Sequence, residues 1–167
     1  MAYAVDLNVV TGAPGSGKSA ALEAFLALGS RYVALDIDWL AEPAGKLAGR
    51  SIFTDASTWP DYAALWFAVL RGIERNNQTP VFFTPNSPLD FECFGLPDWI
   101  SKVNWLLLEC DKETRRQRLQ QRPDWDDEMI KAAIEDAAQL RDLIAVAIDT
   151  GSSNPKQTAN KILQWLS

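Results

Sequence analysis

GAPGSGKS, at residues 12–19, matches the pattern G-x-x-x-x-G-K-[ST] and decides the fold class. A short apolar, β-rich run at residues 5–10 precedes it, and good helix formers follow at residues 18–28. Glycines in such a turn let backbone N–H groups face inward and surround anionic oxygens, and the N-terminus of the following helix adds a positive dipole end. The stretch therefore predicts a phosphate-binding loop between the first strand and the first helix of an α/β domain.

The side chains at the end of this loop supply what the polyphosphate of a nucleotide needs. Lys18 places a mobile cation on the β and γ phosphates, and the Ser19 hydroxyl can hold a magnesium ion. We therefore predict ATP and Mg²⁺ as the cofactors. The predicted nucleotide contacts within the loop are Gly12, Ala13, Gly15, Ser16, Gly17, Lys18 and Ser19.

The composition limits the other classes of function. The chain has 167 residues, of which 47% are hydrophobic and 23% charged, and these values are typical of one globular domain, here residues 1–167. It contains no histidine, which excludes Ser-His and Cys-His catalysis and leaves carboxylates, Lys, Arg and a metal ion for any chemistry.

The charge and the cysteines bear on partners and location. The net charge of -6 argues against a nucleic-acid partner, and no apolar run is long enough to predict a membrane span. Cys93 and Cys110 lie in apolar stretches without a C-x-x-C motif. We therefore expect two reduced, partly buried thiols in the cytoplasm. The sequence does not give the oligomeric state, and we expect a monomer or a homodimer.

Strands and helices alternate along the rest of the sequence. That alternation predicts a three-layer αβα sandwich, with a five-stranded parallel sheet between two helix layers. The motif at residues 12–19 resembles the phosphate loop of P-loop NTPases, which implies a sheet of that type. We expect residues 43–59 to be irregular and the proline-rich residues 85–97 to hold one helical turn. The predicted strands are residues 5–10, 32–37, 81–83, 103–109 and 146–149, and the predicted helices are residues 18–28, 60–74, 112–121, 126 onward and 155–166. The predicted core stripe of the helix at residues 60–74 is Tyr62, Leu65, Trp66, Val69 and Ile73.

An acidic pair, Asp36 and Asp38, stands at the carboxyl end of the second predicted strand. A spacing of two residues puts both side chains on one face if the strand continues. One carboxylate can order the water shell of a metal ion, and the other can orient or deprotonate an attacking hydroxyl. The alternative is a solvated turn in which Asp38 caps a helix that begins at Trp39.

Four arginines lie in the sequence TRRQRLQQRPDW at residues 114–125. Arg115, Arg118 and Arg122 have the spacing i, i+3 and i+7, so they share one helix face. We predict a small arginine-bearing lid at about residues 115–127 that closes over ATP and stabilises charge on the transferred phosphoryl group. The alternatives are a solvent-exposed arginine face or, less favoured by the acidic chain, a contact with RNA phosphate.

The combination of GAPGSGKS, LDID at residues 35–38, LECDKETRRQRLQQR at residues 108–122 and IDTG at residues 148–151 resembles the small P-loop kinases. This group includes shikimate and gluconate kinases, adenylate-kinase-like enzymes and the chloramphenicol phosphotransferase type. The resemblance implies that Lys18 bridges the phosphates, that Ser19 binds magnesium and that Asp36 assists the metal. It also implies these further roles: Asp38 activates the acceptor hydroxyl, Arg118 lies against adenine, Arg122 contacts the phosphates, and Pro155 borders the adenine.

The resulting prediction is a kinase that moves the γ-phosphoryl group of MgATP to a hydroxyl or phosphate of a small molecule. The alternative is a nucleotide-hydrolysing switch or a regulatory ATP-binding module. The sequence lacks the D-x-x-G and N-K-x-D motifs of GTPase switches, and Glu109 reads as a strand-end residue rather than a metal partner. The sequence does not identify the molecule that accepts the phosphoryl group. The aromatic residues that could line its pocket are Trp39, Phe53, Trp59 and Phe91, although core packing is the favoured reading for each one singly.

Overall fold

Five parallel strands form the centre of the protein in a computed structural model, which describes residues 4–167. In chain order the strands are β1 Val5–Thr11, β2 Tyr32–Asp36, β3 Thr79–Thr84, β4 Ile100–Glu109 and β5 Ala147–Asp149. Across the sheet the order is β2-β3-β1-β4-β5, and every neighbouring pair is parallel. The α/β class and the five-stranded parallel sheet predicted from the sequence are therefore confirmed. The predicted domain range begins with residues 1–3, which lie outside the described part.

Helices pack on both faces of the sheet. They are α1 Lys18–Ala27, α2 Ala41–Ala48, α3 Trp59–Arg75, α4 Pro88–Phe94, α5 Lys112–Gln120, α6 Asp127–Leu143 and α7 Pro155–Leu166. Two short 3₁₀ turns, Ile37–Leu40 and Ala56–Thr58, precede α2 and α3.

Neighbouring side chains of the central strand β1 enter separate cores on the two faces of the sheet. Val9 packs into the core that contains Trp66 of α3 and Phe82 of β3. Val10 packs into the opposite core, which contains Phe25 of α1. Since burial of one large apolar side chain contributes roughly 1.5–3 kcal/mol, these two cores fix β1 and therefore the point where the phosphate loop begins.

The prediction that residues 43–59 are irregular is wrong for the first part of the segment. Helix α2 continues to Ala48, and the turn Ala56–Thr58 follows it. Pro43 lies in the first turn of α2, where a backbone N–H has no helical partner to lose. Gly49 ends the helix with a left-handed φ of 67°. Pro43 and Gly49 therefore mark the two ends of a short helix and not an irregular segment.

Two smaller expectations about helices also need correction. The single turn expected within residues 85–97 is the seven-residue helix α4, which Ser87 and Asp90 cap reciprocally. In α3, Leu65 is 43% exposed, whereas Phe67 and Leu70 are buried. The buried stripe of α3 keeps Tyr62 and Trp66 but includes Phe67 and Leu70 in place of Leu65, and the helix contacts both β3 and α4.

The structure also bears on membrane spans and on the cysteines. Within residues 4–167, no helix combines the length and the apolar character that a membrane crossing requires. Both cysteines are free, and Cys110 is buried. Cys93 is exposed, so the expectation that it is partly buried is wrong.

Candidate active site

Three neighbouring strands end at the same edge of the sheet, and the predicted site residues meet there. The loop at residues 12–19 follows β1, the acidic pair follows β2, and residues 85–86 follow β3. The Thr11 hydroxyl donates a hydrogen bond to the Asn86 carbonyl oxygen at 2.7 Å. This bond ties the end of β1 to the segment after β3.

The glycines of the phosphate loop are required by its geometry. Gly15 and Gly17 have left-handed φ angles of 80° and 82°, which L side chains rarely adopt. A Cβ atom on Gly12 would lie 2.4 Å from the Ser16 hydroxyl oxygen and 2.7 Å from the Leu108 carbonyl oxygen. The loop is thus shaped around its glycines, and the first-turn amides of α1, which have no helical partner, remain available for an anion.

Arg115 supports the loop from underneath. Its side chain is only 1% exposed, and its Nη1 atom donates to the carbonyl oxygens of Ala13 at 3.2 Å and Pro14 at 2.6 Å. Burial lowers the pKa of Arg115, and the nearby thiol of Cys110 opposes that shift. The arginine row is therefore not a solvent-exposed face at this position. Of the predicted lid range, residues 121–126 lie outside helices α5 and α6.

Thr150 is a supporting residue that the sequence did not single out. It is 5% exposed, and its hydroxyl donates to the Ser16 carbonyl oxygen at 2.6 Å. Arg118 donates to the Thr150 hydroxyl at 3.0 Å, to the Thr150 carbonyl oxygen at 2.9 Å and to the Gly15 carbonyl oxygen at 3.1 Å. The only sequence signal was the position of Thr150 directly after β5, at the carboxyl edge of the sheet.

The loop lines a cavity of about 460 Å³ together with residues from other elements. Lys18 lies in this cavity, and burial lowers its pKa while the carboxylates of Asp36 and Asp38 act in the opposite direction. Arg122 and Trp125 form another part of the wall, with the Arg122 guanidinium 5.5 Å from the centre of the Trp125 ring. Lys18 and Arg122, the two side chains predicted to bind phosphate, therefore line the same cavity.

The acidic pair does not continue β2. The strand ends at Asp36, and the chain turns into the 3₁₀ segment that carries Asp38. The buried Asp36 carboxylate accepts a hydrogen bond from the Asp38 backbone amide at 2.9 Å, so Asp36 is the capping residue of the turn. The expectation that both side chains share one strand face is wrong, because residue 38 has left the strand.

Helix α3 fixes this turn from the other side. The Ile37 carbonyl oxygen accepts hydrogen bonds from the Tyr62 hydroxyl and, at 3.0 Å, from the Trp66 indole nitrogen. Burial raises the pKa of Asp38, its neighbour Asp36 raises it further, and Lys18 acts against both. The turn therefore holds the Asp38 carboxylate in the wall of the phosphate-loop cavity.

The donor set at this edge suits magnesium. Ser19 lines the loop cavity at the start of α1, and Asp36 lies close enough to Lys18 to affect its pKa. The residues described contain no cluster of three or more His, Cys, Asp or Glu side chains that could hold a metal. A hydroxyl and one carboxylate, completed by phosphate oxygens and water, match the hard, mostly hydrated coordination of Mg²⁺. Glu109 instead binds Arg141 at 2.6 Å, as expected of a strand-end residue.

A second cavity, of about 230 Å³, adjoins the loop cavity, and Asp38 and Pro85 line both. Of the aromatic residues considered for an acceptor pocket, Phe53 and Trp59 line this cavity. Phe91 is buried in the core on the α3 face, and Trp39 is exposed.

The adenine contacts predicted for Arg118 and Pro155 remain predictions. Arg118 holds the loop and Thr150 through its guanidinium, as described above. Pro155 is exposed at the first turn of α7, and Asn154 caps that helix. Both residues border the segment that follows β5.

The chain is similar over nearly its whole length to several solved structures, most of which are described as kinases. The tunicamycin resistance protein of Deinococcus radiodurans has a TM-score of 0.68 at 15% identity, and the match covers 98% of this chain and 96% of that protein. A sugar kinase from Janibacter sp. has a TM-score of 0.66 at 18% identity, with coverage of 98% and 94%. Shikimate kinase from Acinetobacter baumannii, in complex with shikimate, has a TM-score of 0.61 at 18% identity, with coverage of 99% and 94%.

No protein-family model and no curated protein matches the sequence. The structural likenesses therefore show the fold: this chain has the fold of the small P-loop kinases, as its sequence motifs predicted.

Proposed function

We propose that this protein is an ATP-dependent phosphotransferase that moves the γ-phosphoryl group of MgATP to a hydroxyl or phosphate of a small molecule. The observation that carries the proposal is the position of Asp38 in the shared wall of two cavities. One cavity contains the phosphate loop and Lys18, and the other has room for an acceptor. A carboxylate between them can receive the proton of an acceptor hydroxyl.

Each side chain has a defined part in this reaction. The loop amides and Lys18 bind the phosphates, and Arg122 stabilises charge on the phosphoryl group during transfer. The acceptor oxygen forms a bond to the γ phosphorus while the bond from that phosphorus to the β–γ bridging oxygen breaks. ADP departs with the electron pair, and Asp38 takes the hydroxyl proton. Ser19 and Asp36 would hold Mg²⁺, which neutralises charge on the phosphate oxygens when it is bound.

The neighbouring acceptor cavity favours transfer over a hydrolysing switch. A switch needs only water as the attacking group, whereas a walled cavity beside the loop, bounded by the candidate base, suits a second organic substrate. We also propose a cytoplasmic location, which is in keeping with two cysteines that form no disulfide.

Two substitutions separate nucleotide binding from transfer. We expect Lys18→Ala to abolish turnover and to weaken binding of a fluorescent ATP analogue. We expect Asp38→Asn to keep that binding within a few-fold of wild type and to lower acceptor-dependent ADP release roughly 10²- to 10⁴-fold. Lys102→Ala and Asp98→Asn are matched controls, because both residues are exposed near the amino end of β4.

The acceptor screen measures ADP release above background hydrolysis with sugars, nucleosides, nucleotides and antibiotics. Stimulation by one chemical class, with a phosphorylated product of the expected mass, would support a kinase. Normal turnover in Lys18→Ala, or hydrolysis that no acceptor stimulates, would count against it.

A further inference from the structure

The walls of the acceptor cavity suggest what kind of molecule enters it. Most of its surface comes from aliphatic and aromatic side chains, and the only charged side chain in its lining is that of Asp38. Among residues 4–167, no Lys or Arg lines this cavity. The apolar residues of the lining include Ile37, Ala41, Ile52, Phe53, Trp59 and Phe94.

We infer that the part of the acceptor buried in this cavity is an uncharged, apolar ring or chain that carries the reacting hydroxyl. This inference rests on the proposed kinase activity and narrows it. A carboxylate or phosphate on that part of the acceptor would lose its water without gaining a cation, which is costly. It would also face the negative charge of Asp38, since like charges at close range repel.

Three cationic side chains line neighbouring cavities or grooves instead. Lys18 and Arg122 line the phosphate cavity, where the nucleotide would occupy them. Arg50 lines two adjoining grooves instead, and its guanidinium contacts the Ser57 hydroxyl at 3.1 Å and the Asp55 carboxylate at 3.8 Å. None of the three is among the residues that line the acceptor cavity.

The polar atoms of the cavity are few. The Tyr62 hydroxyl already donates to the Ile37 carbonyl oxygen, so it can only accept from a ligand. The Asn86 amide oxygen accepts from the Thr84 hydroxyl, which leaves the amide nitrogen as the donor for an uncharged oxygen of the acceptor. Such isolated polar groups orient a ligand while the apolar walls bind it.

The size of the cavity limits the buried part. Its volume of about 230 Å³ is below the roughly 300–1,000 Å³ of sites that enclose drug-sized ligands. It therefore takes one ring-sized portion of the acceptor, and any larger or charged remainder stays outside.

The test compares carboxylate acceptors with their uncharged methyl esters. Methyl shikimate is paired with shikimate, and methyl 4-(hydroxymethyl)benzoate is paired with 4-(hydroxymethyl)benzoate. Binding is measured by calorimetry with a non-hydrolysable ATP analogue present, and transfer is measured by ADP release and product mass. We expect each ester to bind at least tenfold more tightly than its carboxylate and to have at least a tenfold higher kcat/KM.

A designed cation should invert this preference. Phe53 lines the cavity yet is 61% exposed, so Phe53→Arg can be introduced without opening the core. We expect this variant to bind the carboxylates at least tenfold more tightly than wild type does. Leu47→Arg adds the same charge at an exposed position of α2 outside the cavity lining and serves as the control.

The outcomes separate the two proposals. Tighter ester binding without transfer to any acceptor would support an uncharged, apolar ligand for this cavity and contradict the kinase assignment. Equal or tighter binding of the carboxylates, or no binding of either ester, would overturn the inference, and transfer to the carboxylates would then still support a kinase.

Discussion

Thr150 donates its hydroxyl hydrogen bond to the Ser16 carbonyl oxygen at 2.6 Å across a sequence separation of 134 residues. Both residues are buried, so water cannot replace this bond. The contact joins the segment after β5, the last strand, to the phosphate loop after β1, the first. The shape of the loop therefore depends on residues far from the loop in the sequence.

Replacing Thr150 with valine should weaken both the fold and the nucleotide site. Valine keeps the shape of threonine but leaves the Ser16 carbonyl oxygen without its donor and removes an acceptor from Arg118. We expect the free energy of unfolding to fall by about 1–3 kcal/mol and the Kd for ATP to rise several-fold. Urea unfolding and nucleotide titration measure the two effects.

Thr150→Ser is the matched variant, because it keeps the hydroxyl and loses only a methyl group. It should retain most of the stability and of the nucleotide affinity. If the valine and serine variants behaved alike, the hydrogen bond would have no measurable role.

Arg115 offers a second test of how the loop is supported. Arg115→Met retains a long side chain but leaves the carbonyl oxygens of Ala13 and Pro14 without their donor. We expect a loss of about 1–3 kcal/mol in unfolding free energy and weaker ATP binding. Arg116→Met, on the same helix and outside this contact, should change neither quantity substantially. A stable Arg115→Met with normal ATP affinity would show that relief of the buried charge outweighs the lost hydrogen bonds.

The sequence was sufficient for the phosphate loop because the loop is a local structure. The glycine spacing and the flanking elements determine where the backbone turns, and Lys18 and Ser19 follow it directly. The residues that hold the loop in place through side-chain hydrogen bonds could not be predicted in the same way. The sequence pattern assigns Arg115 to a lid and gives no role to Thr150, because both residues act through contacts between distant elements.

The cavity that we propose for the acceptor is the part of the site that is least predictable from the sequence. Ile52 and Phe53 belong to a segment without helical or strand periodicity, so nothing in their spacing places them opposite α3. Asp38 was identified by its proximity to β2, but its position depends on a turn that Tyr62 and Trp66 hold. That packing can be seen only in the folded chain.

Two glycine substitutions should have opposite effects. In Gly12→Ala the new methyl group would lie 2.7 Å from the Leu108 carbonyl oxygen, which is backbone and cannot move aside freely. We expect a loss of about 1–3 kcal/mol and of ATP binding. In Gly72→Ala the methyl group meets nothing within 4 Å on the exposed side of α3, so the fold should gain about 0.5–1 kcal/mol. Thermal unfolding of both variants checks the prediction, and a tolerated Gly12→Ala would contradict the close packing of the loop.

The two cysteines should react very differently with a thiol reagent. Cys110 is buried and its thiol contacts the Gly15 carbonyl oxygen at 3.5 Å, whereas Cys93 is exposed. Burial raises the pKa of Cys110, although Arg115 and Arg118 act against the shift. Since the thiolate is the reactive form, Cys110 stays protonated to a higher pH than a free thiol and is also shielded from the reagent.

We therefore expect one thiol per chain to react rapidly with Ellman's reagent at pH 8 and two to react after unfolding in urea. The variant Cys93→Ser should show no rapid reaction in the folded state. The raised pKa has a further consequence, because the unfolded chain releases the Cys110 proton at lower pH than the folded chain does. This residue therefore contributes to a loss of stability as the pH rises from the pKa of the unfolded thiol through the higher pKa of the folded thiol. Rapid reaction of two thiols in the folded protein would mean that the support beneath the phosphate loop is open to solvent.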